Sequence, residues 1–215
     1  MEFLTNLLDI FLHLDTYLAQ IISDYGVWTY GLLFVVIFIE TGLVVMPFLP
    51  GDSLLFAAGT FAALGSLNIW LLVGLAFIAA VVGDAVNYSI GHYLGERAYN
   101  IKWVKKEYLD KTHAFFEKHG GKAIFLARFV PIVRTFAPFV AGIGRMSYGY
   151  FATYNVVGGG SWVLTFSLLG YFFGNLEFVK KNFEFVIVAI ILISVVPMFY
   201  EWLKARREGK ASAEA

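Results

Sequence analysis

Apolar residues fill this chain in long blocks, broken at intervals by glycine, proline and single charges. The first block differs from the rest. Glu2, Asn6, Asp9, His13, Thr16, Gln20 and Asp24 recur every three or four positions with Leu, Ile and Phe between them, which is the spacing of a helix with one polar stripe. It predicts an amphipathic N-terminal helix over residues 1–25, lying at a membrane interface or packed on a bundle. His13 belongs to that stripe and reads as solvated.

The later blocks are unequal. Residues 69–91, 154–174 and 185–203 each hold the roughly 20 apolar residues that a spanning helix needs. The block 27–64 is interrupted at Pro47-Phe48-Leu49-Pro50-Gly51-Asp52, and the block 123–145 contains Pro131 and Pro138. Proline removes a helix donor and disfavours helix at the residue before it. Each of these blocks is therefore expected as two short arms. Non-helical backbone at membrane depth survives only where protein buries it or water reaches it. The economical reading is two re-entrant hairpins, about 27–64 and 123–145, with tips near Pro50–Asp52 and Pro131–Thr135; two kinked spanning helices are the alternative.

The halves also echo each other. Leu49-Pro50 returns as Val130-Pro131, Ala58-Gly59 as Ala141-Gly142, and the glycine pair Gly91 and Gly95 as Gly170 and Gly174, at offsets of 81, 83 and 79 residues. Each unit is a broken segment followed by a full span. The Gly-x-x-x-Gly pairs read as close helix packing.

Composition fixes the solvent. The chain has 215 residues, of which 59% are hydrophobic and 15% charged. An ordinary soluble domain is about 45–50% apolar and about 25% charged, so an integral membrane protein is expected. With no cysteine, disulfides, thiol nucleophiles and thiolate-bound metals are excluded. Net charge is zero, but its distribution is lopsided. Residues 1–95 carry seven acids and no Lys or Arg, whereas 96–122 carry seven bases against four acids, and Lys204, Arg206, Arg207 and Lys210 follow the last span. The positive-inside rule then puts the 92–122 loop and the 204–215 tail in the cytoplasm. The span 69–91 ends on that side, so the two broken segments are approached from opposite faces. Inverted repeats with broken helices mark transporters with a midplane site. The bases flank apolar spans, a pattern that does not fit nucleic-acid binding.

Five ionisable residues lie inside apolar blocks: Glu40, Asp52, Asp84, Arg128 and Arg134. Each costs about 2.5–3.5 kcal/mol at the centre of a spanning helix, so they are expected to pair or to line a wet cavity. The first broken block carries acids and the second bases, so the hairpins can neutralise each other. Buried ion pairs stabilise poorly compared with apolar packing, which favours a functional cavity over simple glue. Two guanidiniums side by side suit a phosphate, because arginine binds it bidentately and stays charged. Arg128 and Arg134 are therefore the expected phosphate ligands, helped by backbone N–H groups at a half-helix start near Thr135 or Phe136. Glu40 and Asp52 are expected to hold the arginines between cycles and to carry protons. Secondary cavity candidates are Asp84, Asn87, Ser53 and Thr135; Asp52-Ser53 also reads as a helix N-cap. No histidine has metal-ligand spacing, and neither metal nor cofactor is expected. An enzyme such as a lipid phosphatase is disfavoured, because no nucleophile and base are paired among the buried charges.

The stretches Glu40-Thr41-Gly42, Phe48 to Leu55 and Phe125 to Thr135, continued through Gly142 to Met146, resemble the DedA family of VTT-domain (SNARE-associated Golgi-like) proteins, which share their core with eukaryotic lipid scramblases. The likeness runs from about Gly26 to the C-terminus. It implies a multi-pass protein of the bacterial inner membrane with two re-entrant hairpins, whose important acids fall on Glu40 and Asp52 and whose arginines fall on Arg128 and Arg134. Some members carry undecaprenyl phosphate back across the membrane, others are linked to phosphatidylethanolamine, and members are linked to the proton-motive force and drug resistance. The expectation is thus an all-α polytopic membrane protein with one domain over 26–203, moving a phosphate-bearing lipid, with proton coupling. Its partners are membrane lipids and protons, not nucleic acid; a homo-oligomer is left open. A proton-coupled carrier of a small ion or drug is the rival.

Overall fold

The computed structural model describes residues 14–43, 51–95, 120–174, 176–182, 185–186 and 189. Among them the chain is helical throughout: α1 (Leu14–Tyr25), α2 (Trp28–Gly42), α3 (Gly51–Ala63), α4 (Ile69–Leu94), α5 (Ala123–Ala127), α6 (Pro131–Ile143), α7 (Tyr148–Phe173) and α8 (Glu177–Lys181), with a single 3-10 turn at Gly120–Lys122 before α5. Residues 1–13, residues 44–50, most of the expected 92–122 loop, nearly all of the span expected at 185–203 and the 204–215 tail lie outside the described residues, and His13 with them.

Helices α4 and α7 are the long ones. Each has 26 residues, or about 39 Å at 1.5 Å per residue, against about 30 Å of bilayer hydrocarbon. Only 33% of the most apolar stretch of each is buried inside the protein, and Ile78, Val82, Val157 and Leu164 face outward. Trp28, Trp70, Tyr93 and Tyr148 project near helix ends, where amphipathic rings favour the membrane–water boundary. Asn68 starts α4 by accepting hydrogen bonds from the N–H groups of Trp70 (3.0 Å) and Leu71 (3.1 Å), an ordinary side-chain N-cap. Gly95 closes it at φ +52°, a left-handed backbone that glycine tolerates without strain.

Several sequence boundaries shift. The span expected at 69–91 reaches Leu94, and the one expected at 154–174 begins at Tyr148. The expected short arms of 123–145 are half right. The chain does break between Ala127 and Pro131, with Val130 extended at φ −120°, ψ 104° before the proline, as proline's steric demand on its predecessor requires. The N–H groups of Arg128, Phe129 and Val130 still bond carbonyls three residues back, at 3.2, 3.2 and 2.9 Å, so hydrogen-bonded turns carry the chain up to the proline. Pro138 does not break anything. It sits inside α6, which forgoes one backbone bond and carries on. The half-helix therefore starts at Pro131, not at Thr135 or Phe136.

The packing follows one scheme twice. The broken pair α2/α3 sets α2 on α4 and sends α3 across to α7; the broken pair α5/α6 sets α5 on α7 and sends α6 across to α4. The two crossings use matching residues. A Cβ on Gly59 of α3 would strike the Ser167 carbonyl of α7, and one on Gly170 would strike that of Phe56; a Cβ on Gly142 of α6 would strike the Tyr88 carbonyl of α4, and one on Gly91 that of Phe139. Positions 56 and 59 correspond to 139 and 142, and 88 and 91 to 167 and 170. Small residues let backbones approach this closely, which is how helices associate where water supplies no hydrophobic drive. Gly174 likewise meets Thr60. Of the expected packing glycines only Gly95 does not pack: it is a helix cap with open space around it. α1 contributes Leu18 to a buried apolar cluster that includes Leu54, Ala58 and Leu72.

Candidate functional site

The five buried ionisable residues come together where the broken pairs meet the long helices. Glu40 lies in the last turn of α2 and Asp52 in the first turn of α3. Asp84 lies past the middle of α4, Arg128 in the turn after α5, and Arg134 in the first turn of α6. Asp52 is thus inside its helix and not at the N-cap; there its charge meets the positive end of α3. The Glu40 carboxylate rests against the same end, so close to Gly51 that any Cβ at that position would collide with it.

Arg134 is held from both sides. Its Nη2 donates to Glu40 Oε1 at 2.6 Å and its Nη1 to Asp52 Oδ1 at 2.6 Å. The acids of the first broken segment and a base of the second therefore meet. The expectation for Arg128 needs correction. Its carboxylate is Asp84, not Glu40 or Asp52, and its Nη2 also donates to Asn155 Oδ1 at 2.7 Å. The reason lies in the route of the chain: α5 lies on α7 and ends beside α4, which turns Arg128 toward the long helices. Gly158 and Gly159 of α7 make the seat, since a Cβ on either would come within 3.3–3.4 Å of the Arg128 side chain.

Trp162, fully buried at the middle of α7, joins the two groups. Its Nε1 donates to Asp52 Oδ1 at 2.7 Å, and the Arg134 and Arg128 guanidinium carbons lie 5.0 and 5.9 Å from its ring. Both distances fall in the cation–π range. Nearby, Asn87 Nδ2 donates to the Thr41 carbonyl at 3.2 Å and the Thr135 carbonyl at 2.9 Å, tying α2 to α6 through α4. Asn155 Nδ2 donates to the Val81 carbonyl at 3.0 Å. Ser53 is buried, and its hydroxyl has no hydrogen-bond partner among the described residues.

Two features decide what the cluster can do chemically. Fully ionised, three carboxylates face two guanidiniums, so the described cluster carries one net negative charge and a single proton neutralises it. Its two parts also differ in access. The Arg128 and Asp84 side chains are 2% and 3% exposed, whereas those of Arg134 and Asp52 are 11% and 13% exposed; Glu40, the other carboxylate on Arg134, is sealed at 3%. No group of metal-ligating side chains forms among the described residues.

Trp162 and Asn155 were missed by sequence reading, although each left a signal. A tryptophan in the middle of a span is out of place for an interfacial anchor, and Gly158-Gly159-Gly160 just before it announces a close neighbour. Asn155 is a lone amide in an apolar run.

The VTT domain family model matches residues 49–172. Protein DedA of Escherichia coli (strain K12) is 53% identical over 219 residues, covering all of both chains. An uncharacterized membrane protein of Mycobacterium leprae (strain TN) is 43% identical, covering 83% of this chain and 82% of its own. Inner membrane protein YqjA of Escherichia coli (strain K12) is 33% identical over 80% of this chain and 79% of its own. No solved structure matches. The apolar long helices, the domain match and the full-length identity agree that the chain is a membrane protein and belongs to the DedA family of VTT-domain proteins.

Proposed function

We propose that the protein moves a phosphate-bearing lipid, such as a polyprenyl phosphate or a phospholipid, across the bacterial inner membrane. The observation that carries this reading is Arg134: a guanidinium deep in an apolar helical protein, held by two carboxylates and still partly open. An arginine kept by exchangeable anions is a receptor for another anion, and its planar fork suits phosphate. The headgroup takes the place of a carboxylate on Arg134. The carboxylate set free then holds a proton, and the cluster's one surplus negative charge gives that proton a place. This is a route to coupling with a proton gradient.

The lipid tail needs an apolar path beside the site. Supporting one, an apolar groove between α4 and α7 is lined by Val73, Gly74, Phe77, Val156, Gly160 and Leu164. Gly160 faces it while its neighbour Gly159 faces Arg128. The matched glycine crossings support the repeat; the scheme takes it as inverted, with two re-entrant hairpins meeting at the midplane and, from the charge asymmetry, the 92–122 loop and C-terminus cytoplasmic.

The test is transport of a fluorescent polyprenyl phosphate in proteoliposomes. Arg134→Ala is expected to abolish the protein-dependent rate. If Arg134→Ala moves the lipid as fast as the unaltered protein, the reading fails.

A further inference from the structure

The two arginines are not equivalent, and nothing in the sequence distinguishes them. We propose that they divide the work: Arg134 exchanges its carboxylates for the substrate phosphate, whereas Arg128, locked by Asp84 and Asn155, is a positioning residue that never touches substrate. This inference rests on the transport reading above and assigns its phosphate site to one arginine.

The geometry supports the division in three ways. Arg128 and Asp84 form an internally neutral pair, sealed at 2% and 3% exposure, with Asn155 as a further acceptor that is itself fixed to the Val81 carbonyl. Arg128 Nη1 has no hydrogen-bond partner among the described residues, but it is buried, and the Gly158–Gly159 seat leaves a headgroup no room from the α7 side. Second, Arg134 shares its charge between two carboxylates on different helices, and one of them, Asp52, belongs to the open part of the cluster. Releasing Asp52 does not strand it, because Trp162 Nε1 donates to the same Oδ1. The indole thus keeps Asp52 in place while Arg134 changes partner, and its ring stays beside the guanidinium. Third, Arg128 joins α5, α4 and α7, so it fixes the turn from which α6 and Arg134 project. Locking Arg128 aims Arg134.

Two variant sets, assayed as full-length protein in proteoliposomes with fluorescent polyprenyl phosphate, test this division. The readouts are half-saturating lipid concentration, maximal rate and thermal midpoint. Arg128→Lys and the charge-neutral double variant Asp84→Asn/Arg128→Gln are expected to lower the maximal rate while leaving half-saturation within about threefold of the unaltered protein. Arg134→Lys is expected to raise half-saturation by about tenfold or more, because the bidentate fork is lost. If the double variant fails to fold, Arg128→Lys decides alone. A rise in half-saturation for Arg128→Lys as large as that for Arg134→Lys would overturn the division. An unaltered protein that neither binds nor moves the lipid would overturn the transport reading and this inference together, and is recognised before any variant is made.

Discussion

The close crossings of α3 on α7 and α6 on α4 predict a reversal of sign for one simple substitution. Replacing glycine by alanine inside a helix ordinarily stabilises by about 0.4–1 kcal/mol, because alanine loses less backbone freedom on folding. Gly74 of α4 should behave this way, since a Cβ there meets nothing within 4 Å, and Gly31 of α2 likewise. Gly91, in the same helix as Gly74, should not. Its Cβ would strike the Phe139 carbonyl, and backbone cannot step aside as a flexible side chain can. Overpacking of this kind costs about 1–3 kcal/mol, which leaves a net loss of roughly 1–2 kcal/mol after the propensity gain. For a chain of this size that lowers the thermal midpoint by about 2–8 °C. Gly170→Ala, against Phe56, should match Gly91→Ala, and Gly59→Ala should match Gly142→Ala, because the two crossings use corresponding residues. Thermal unfolding of the purified protein in one detergent, scored for all six variants, is the assay. If Gly91→Ala and Gly170→Ala rise together with Gly74→Ala, the helices do not approach as closely as described and the packing argument fails.

Other outcomes follow from single contacts. Asn87→Leu should lower stability by about 1–3 kcal/mol by removing the donor shared by the Thr41 and Thr135 carbonyls, read as a falling thermal midpoint. Trp162→Phe keeps an aromatic ring but deprives Asp52 of a donor, with an expected loss of about 1.5–3 kcal/mol for a bond to a charged group; an unchanged midpoint would mean that the indole N–H does not hold Asp52. Gly74→Phe should fill the groove between α4 and α7, slowing lipid transport severalfold with the midpoint unaltered; transport at the original rate would remove the groove from the scheme.

Much of this architecture is legible in the sequence because a bilayer permits few solutions. An apolar run such as 69–91 has to be a helix, and the dipeptide Val130-Pro131 has to interrupt one. The five misplaced charges announce a common centre, since none can stay unpaired in hydrocarbon. What the sequence withholds is partner choice. By sign alone, Arg128 was expected to be held by the acids of the first broken segment, but the path of α5 turns it to Asp84, which sequence reading ranked as secondary. Pro138 shows the limit of local rules: its missing donor costs one backbone bond, yet the helix continues through it, packed against α4. Trp162 escaped notice because its importance depends on which side chains lie against it, and only the fold brings Asp52, Arg128 and Arg134 to one ring.

Everything functional rests on charges from two broken helical segments meeting in the protein interior, and a double-mutant cycle between Asp52 and Arg134 measures that meeting directly. Arg134→Gln alone leaves two buried carboxylates without their cation; adding Asp52→Asn removes one of them and restores the cluster's original net charge. The double variant is expected to unfold at a higher temperature than Arg134→Gln alone, with a coupling of about 1–3 kcal/mol. Strictly additive losses would mean that the two side chains do not touch, and would contradict that expectation.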